Sequence, residues 1–207
     1  MMRITAAFLG FAIGLISTAP VAVRAHDHEH MSHMEAAKPL SGKSVYNLAS
    51  AWTDQDGKSA KLAALRGELV VVAMAYTSCK DICPMIVANM VAIEDRLKES
   101  SPAKVHFVFF SIDSAIDTPE RLKAYAGDHG LDLARWTLYH GDDKAVRELA
   151  AALGVRYRRD PNGGFDHSAI ISLLDEEGNI AFQKPDAQVD TSEMVEKIQG
   201  LARLKPR

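Results

Sequence analysis

The stretch Leu69-Val70-Val71-Val72-Ala73-Met74-Ala75-Tyr76 carries no charged residue and no alternation of polar with apolar positions. A strand of this kind has no face to offer water, so it belongs in the middle of a sheet covered on both sides. Val105 to Ile112 makes nearly the same demand, and helical periodicity runs between the two, from Pro84 to Leu97. Downstream the alternation continues with a helix from Pro119 to about His129, a short strand at Trp136 to Tyr139, and a helix from Asp143 to Leu153 stopped by Gly154. Strands at Ala169 to Leu174 and Ile180 to Gln183 and a last helix near Ser192 to Leu204 complete the pattern. Thr118 before Pro119 and Thr191 before Ser192-Glu193 are helix-start signals. Asp54-Gln55-Asp56-Gly57 and Asp175-Glu176-Glu177-Gly178 are turn sequences that close hairpins. An N-terminal hairpin, a β-α-β-α core and a closing β-β-α unit predict an α/β protein of thioredoxin-like fold, a central mixed sheet flanked by helices.

The chain has 207 residues, 47% apolar and 25% charged, enough for one core plus extensions. Its formal net charge is -3 with Lys and Arg scattered, which leaves no basic footprint for a nucleic-acid backbone. Residues 1-25 read as a secretory signal peptide: Met1-Met2-Arg3, an apolar stretch from Ala6 to Ile16, then small residues up to Ala25, after which cleavage is expected. An uncleaved anchor reaching Val23 is the alternative, weakened by Pro20 and by the Ser17-Thr18 pair. Export to the bacterial periplasm without a stable membrane anchor follows as the expectation. Residues 26-44 form a tail and linker in which His26, His28, His30, Met31, His33 and Met34 have the composition of a copper-binding tract, and the thioredoxin-like domain is expected over residues 45-207.

The two cysteines, Cys79 and Cys83, sit in Thr77-Ser78-Cys79-Lys80-Asp81-Ile82-Cys83-Pro84, after the buried strand and at the opening of a helix. Residues four apart on a helical turn face the same way, so both sulfurs can approach one ion or each other. A helix N-terminus favours thiolate, the form that ligates soft metals and attacks disulfides. Two buried core thiols would be the bland alternative, but they are uncommon in an exported chain. Pro84 stands where covalent haem attachment needs a histidine. The Gly-rich segment Gly163-Gly164-Phe165-Asp166-His167-Ser168-Ala169 feeds an apolar strand, and such loops deliver side chains to the sheet edge that bears the Cys loop. From spacing alone His167 is either a third ligand or an ordinary surface histidine.

Tyr76 to Pro84, Ser111-Ile112-Asp113 with Asp117-Thr118-Pro119-Glu120-Arg121-Leu122-Lys123-Ala124-Tyr125, and Asp166-His167-Ser168 occur in an order that resembles the Sco/SenC family of copper chaperones, over roughly Val45 to Leu204. The resemblance implies a thioredoxin-like fold that binds copper through Cys79, Cys83 and His167 and serves the binuclear copper site of cytochrome c oxidase or a related respiratory enzyme. Lys80 stands where that family often has proline. The rival function is thiol-disulfide exchange by the same cysteines, keeping the recipient's copper-ligand cysteines reduced; His167 and the metal-rich tail favour copper, as Cu(I) and also Cu(II). The partner is then a copper-accepting respiratory subunit or another periplasmic copper protein, and a copper sensor is a further reading. A peroxidase would need a proline where Ala73 stands, and structural zinc would need a fourth ligand. Asp81 and Asp166, beside ligands, read either as carboxylates that orient them or as turn residues. Asp113 and the Asp117-Thr118-Pro119 cap read as structural, Met85 and Met90 as core filler, and His106, His129 and His140 have no metal-like spacing.

Overall fold

The structure is a computed structural model that describes residues 40-80, 82-100, 104-161, 163-185 and 190-203. Within them the chain forms β1 (Ala51–Asp54), β2 (Ser59–Lys61), β3 (Leu69–Ala75), α1 (Ile82–Ser100), β4 (Val105–Ser111), α2 (Pro119–Asp128) and β5 (Trp136–His140). Next come α3 (Asp143–Leu153), β6 (Tyr157–Arg159), β7 (Phe165–His167), β8 (Ile171–Leu174), β9 (Ile180–Lys184) and α4 (Thr191–Arg203). Seven of the described strands make one mixed sheet in the order β2-β1-β5-β4-β3-β8-β9, and β6 pairs with β7 in a separate ribbon.

The two apolar runs lie at the centre of the sheet, as their composition requires. All seven residues of β3 are buried, as are all of β4 except the half-buried His106. Both hairpin turns close as expected: β1 pairs antiparallel with β2 and β8 with β9. The N-terminal hairpin also extends the sheet, because Thr53 and Asp54 pair with His140 and Tyr139 of β5. Successive residues on a strand face opposite sides, and the ring contacts show what each side of the sheet meets. Phe107 stacks on Trp136, whose indole N-H donates to the buried carboxylate of Glu94 on α1 at 2.7 Å. Phe109, on the same side, meets Tyr125 of α2, while Phe110 on the other side meets Trp52 and Tyr139. Thus α1 and α2 cover one face, and α4 packs beside α1.

The start of α2 follows its sequence signal, whereas α4 begins at Thr191 itself, with the Asp190 carboxylate accepting from the Ser192 amide at 2.9 Å. Thr118 caps α2 by accepting from the Arg121 amide, with Pro119 at the first helical position, and Asp142 caps α3 by accepting from the Ala145 amide at 2.7 Å. Gly154 ends α3 in the left-handed conformation. In α1 the helix begins at Ile82, two residues before Pro84, because amides of the first turn have no intrahelical acceptor and a proline there loses nothing. The strand expected from Ala169 begins instead at Ile171. The residues before it are drawn to the β6-β7 ribbon, where the Ser168 amide donates to the Arg156 carbonyl at 2.9 Å.

Strand register decides what shares an edge. In the parallel pair β3-β4, Ala75 lies opposite Ser111, so the loops after both strands leave the sheet at one end. Strand β8 runs antiparallel to β3 with Ile171 opposite Ala73, so the segment entering β8 arrives at that same end. The Cys loop, the Ile112–Asp117 loop and the His167 segment therefore meet there. No helix among the described residues is long and apolar enough to cross a membrane.

Candidate metal centre

The loop that carries the cysteines is fixed from below by one buried carboxylate. Asp117, fully buried, accepts from the Thr77 amide at 3.0 Å and from the hydroxyls of Thr77 and Ser111. Its own carbonyl accepts from His140 Nδ1 at 2.9 Å. Arg121 balances the charge, with Nε 3.7 Å from the Asp117 carboxylate and donating to Thr77 Oγ1 at 2.7 Å. The chain leaving β3 is thereby tied to the ends of β4 and β5 and to the start of α2, two residues before Cys79.

Cys79 is partly exposed and Cys83, in the first turn of α1, is completely buried; both are thiols. His167 is the last residue of β7, partly buried. Sequence pattern placed it in a loop; the structure puts it on a short strand whose partner β6, Tyr157-Arg158-Arg159, has no apolar alternation to announce it. The ligand atoms of Cys79, Cys83 and His167 all lie within 4.8 Å of one another, and among the described residues no other group of three Cys, His or acidic side chains has such spacing. His167 Nε2 is 3.0 Å from Cys83 Sγ, while its Nδ1 lies 3.3 Å from the Ser168 carbonyl. A carbonyl can only accept, so Nδ1 carries the proton and Nε2 offers its lone pair to Cys83.

Burial governs the protonation of this pair. Desolvation, the dominant cause, pushes the Cys83 thiol far above its ordinary value, and Cys79 and Asp117 push in the same direction against a hydrogen bond from the Tyr76 backbone. At Cys83 burial therefore works against the thiolate that a helix N-terminus favours. Burial also lowers the His167 pKa, opposed by its contact with the Ser168 carbonyl. A neutral thiol donating to a neutral imidazole results. A soft cation held between Cys79, Cys83 and His167 would displace the thiol protons and offset the charge of the buried thiolates.

Tyr76, to which the sequence assigned no role, holds His167 in place. Its hydroxyl accepts from the Phe165 amide at 3.1 Å and donates to the Phe165 carbonyl at 3.3 Å, and its ring lies edge-on to Phe165 and His167, with centroids 5.3 and 5.8 Å away. Gly164 permits this approach, since a Cβ there would stand 3.0 Å from the Tyr76 hydroxyl and 2.6 Å from Asp160 Oδ2.

Of the remaining sequence candidates, Asp166 does not orient a ligand. Its exposed carboxylate pairs with Arg158 at 2.8 Å, because strand alternation turns it away from the side that His167 faces. Met85 is 45% exposed rather than core, whereas Met90 is fully buried as expected. His106 bonds Thr137, and His129 stacks on Tyr125. Asp81 and the tail residues His26, His28, His30, Met31, His33 and Met34 lie outside the described residues.

The fold and the cluster define a protein class: a thioredoxin-like domain presenting two cysteines and one histidine to a single point at the sheet edge. The chain belongs to the SCO1/SenC family, whose model matches residues 41-203. It is 33% identical over 130 residues to the SCO1 protein homolog of Bacillus subtilis (strain 168), covering 61% of this chain and 67% of that one. Copper-bound ScoI of Arabidopsis thaliana superimposes with a TM-score of 0.68 at 23% identity, covering 75% of this chain and 97% of that chain. The structure of BsSco, a member of the Sco family of cytochrome c oxidase assembly proteins in which a disulfide switch was identified, gives 0.66 at 24%, covering 75% and 92%.

Proposed function

We propose that this protein is a copper chaperone that holds Cu(I) between Cys79, Cys83 and His167 and delivers it, in the periplasm, to a respiratory copper enzyme such as cytochrome c oxidase. The observation that carries the reading is the convergence of two sulfurs and one neutral imidazole nitrogen within 4.8 Å, from elements 84 residues apart in sequence. That donor set suits soft Cu(I) better than the hard cations, which prefer oxygen. Partly exposed Cys79 offers the route by which a recipient's ligands can take over the ion one at a time. The copper-bound relative and the oxidase-assembly relative support cargo and destination in turn. The test is Cu(I) titration against a competing chelator on protein lacking residues 26-34. Wild type binds one equivalent tightly, and Cys79→Ser or Cys83→Ser each abolish it; unchanged affinity in either variant refutes the reading.

Thiol-disulfide exchange by Cys79 and Cys83 is the second reading, favoured by two thiols close enough to pair after a small shift. For the tail we propose copper collection. Cleavage after Ala25 would leave His28 third from a free amine, a nitrogen set suited to Cu(II), with Met31 and Met34 available for Cu(I). N-terminal sequencing and a Cu(II) spectrum that acetylation of the amine abolishes are the expected results. A spectrum indifferent to acetylation removes the tail site.

A further inference from the structure

Asp113 follows β4 at the edge where the metal ligands meet, and it is only 1% exposed. Neither carboxylate oxygen has a hydrogen-bond donor among the described residues. A carboxylate removed from water is strongly destabilising unless a cation and donors compensate it. The cation is at hand but not engaged: Arg159 Nη2 stands 4.0 Å from Asp113 Oδ1, beyond hydrogen-bond distance, and the Arg159 side chain remains about half exposed. Arg159 ends β6 and pairs directly with Phe165 of β7, two residues from His167. Its guanidinium lies over the Phe165 ring at 4.6 Å, and Phe165 packs edge-on against Tyr76. Arg159 is therefore part of the hairpin that presents the histidine ligand, and Asp113 lies in the loop after β4, at the end of the sheet where that hairpin meets it.

We infer that Asp113 and Arg159 form the electrostatic latch that docks the β6-β7 hairpin and so holds His167 against the two cysteines. The inference rests on the copper reading for its consequence, although the latch itself exists without metal. When the hairpin is docked, a movement of about 1 Å brings the guanidinium into hydrogen-bond range of Asp113. When the hairpin lifts away, His167 leaves the cysteines and Asp113 is left buried with no counter-charge. That penalty opposes lifting, so the pair sets how readily the histidine lets go of the ion. The pair positions a ligand rather than touching the metal, and the exposed end of Arg159 leaves it within reach of an acidic group on a recipient. Such a group could draw the guanidinium away and weaken the third ligand at the moment of transfer.

The test uses the full chain and two independent readouts. Hydrogen exchange of the amides of residues 157-167 in metal-free protein reads docking, and the rate of Cu(I) transfer to a chelator reads its consequence. Arg159→Gln, at an exposed position that does not threaten folding, is expected to speed hairpin exchange and copper transfer each about tenfold, with Arg159→Lys intermediate because it keeps the charge and loses the flat stacking fork. In an Asp113→Asn background, where the buried charge is gone and the shape is kept, Arg159→Gln should change little, the signature of a coupled pair. Unchanged hairpin exchange in Arg159→Gln overturns the latch, as does an equal effect of Arg159→Gln with and without Asp113. Should Asp113→Asn fail to fold, the comparison of Arg159→Gln and Arg159→Lys decides alone, equal exchange rates in both and in wild type being the refuting result. If copper proves not to bind through His167, the metal-free exchange still judges the latch.

Discussion

At the scale of single residues, the candidate site depends on groups outside the proposed ligand set as much as on the ligands themselves. His167→Ala removes one of three donors and leaves both sulfurs, so Cu(I) affinity should fall at least about tenfold while Cys79 and Cys83 still form a disulfide under oxidant. A chelator competition and a thiol count read the two halves, and unchanged copper affinity would favour the exchange reading. Tyr76→Phe keeps the ring against Phe165 and His167 but deletes the hydroxyl that both donates to and accepts from Phe165. Two hydrogen bonds near ~1 kcal/mol each are lost, and copper affinity should drop about tenfold with little change in the wild-type spectrum, since the ligands are the same. Cys79 and Cys83 were legible in the sequence because their spacing has a local meaning on a helical turn. His167 is legible only through the resemblance carried by the whole motif set, and Tyr76 not at all. Its partner is 89 residues away, and no periodicity links a strand-end tyrosine to a backbone amide across the fold.

At the scale of elements, the separation between legible and hidden structure follows burial. Strands β3 and β4 are wholly or almost wholly buried and helices α2 and α3 carry their own caps, so composition and capping reveal them. The β6-β7 ribbon carries Arg158, Arg159 and Asp166 on one short hairpin with much of its surface in water, and gave no hydrophobic signal. Asp117, read from the sequence as part of a structural cap before α2, joins four elements, and its long-range partners have no sequence signal. Asp117→Asn preserves volume but removes the charge that Arg121 balances and one acceptor of the Thr77 bonds; unfolding should cost about 2 kcal/mol less in urea, and the Cys loop should lose amide protection first. On β4, His106 is held neutral: burial lowers its pKa, against a weaker upward pull from Glu68. The unfolded chain therefore binds the extra proton more readily, and this stability is fully present above the unfolded value near 6.5 and lost as pH falls through the folded one. The urea midpoint should decline as pH drops below about 6.5, and His106→Gln should flatten that decline. A slope unaltered by the substitution would assign the loss to other groups.

Across the whole molecule, copper would act as a cross-link between parts of the chain that only the fold brings together. Cys79 and Cys83 are near neighbours and can share an ion even in an unfolded chain, so the cysteines alone give copper little preference for the native state. His167 reaches them only when β8 has docked antiparallel on β3 and the β6-β7 ribbon lies over the sheet edge. The stabilisation by copper is thus set by the difference between three-ligand binding in the native state and two-thiol binding in the unfolded one, and that difference belongs to His167. For a ligand that ignores the unfolded chain, a free concentration a thousandfold above Kd would contribute about 4 kcal/mol, an upper bound here because the thiols retain affinity after unfolding. At roughly 2 to 4 °C per kcal/mol for a domain of this size, Cu(I) under anaerobic conditions should raise the wild-type Tm by several degrees and by less than about 16 °C. In His167→Ala the rise should shrink towards zero even though the metal remains bound to the cysteine pair. Thermal unfolding of both proteins with and without one equivalent of Cu(I) makes the comparison, and a chelator added to the wild type should return its Tm to the metal-free value. Equal increments in the two proteins would mean that the ion is held by sulfur alone, and the imidazole 3.0 Å from Cys83 would then be a hydrogen-bond acceptor for the thiol and no ligand.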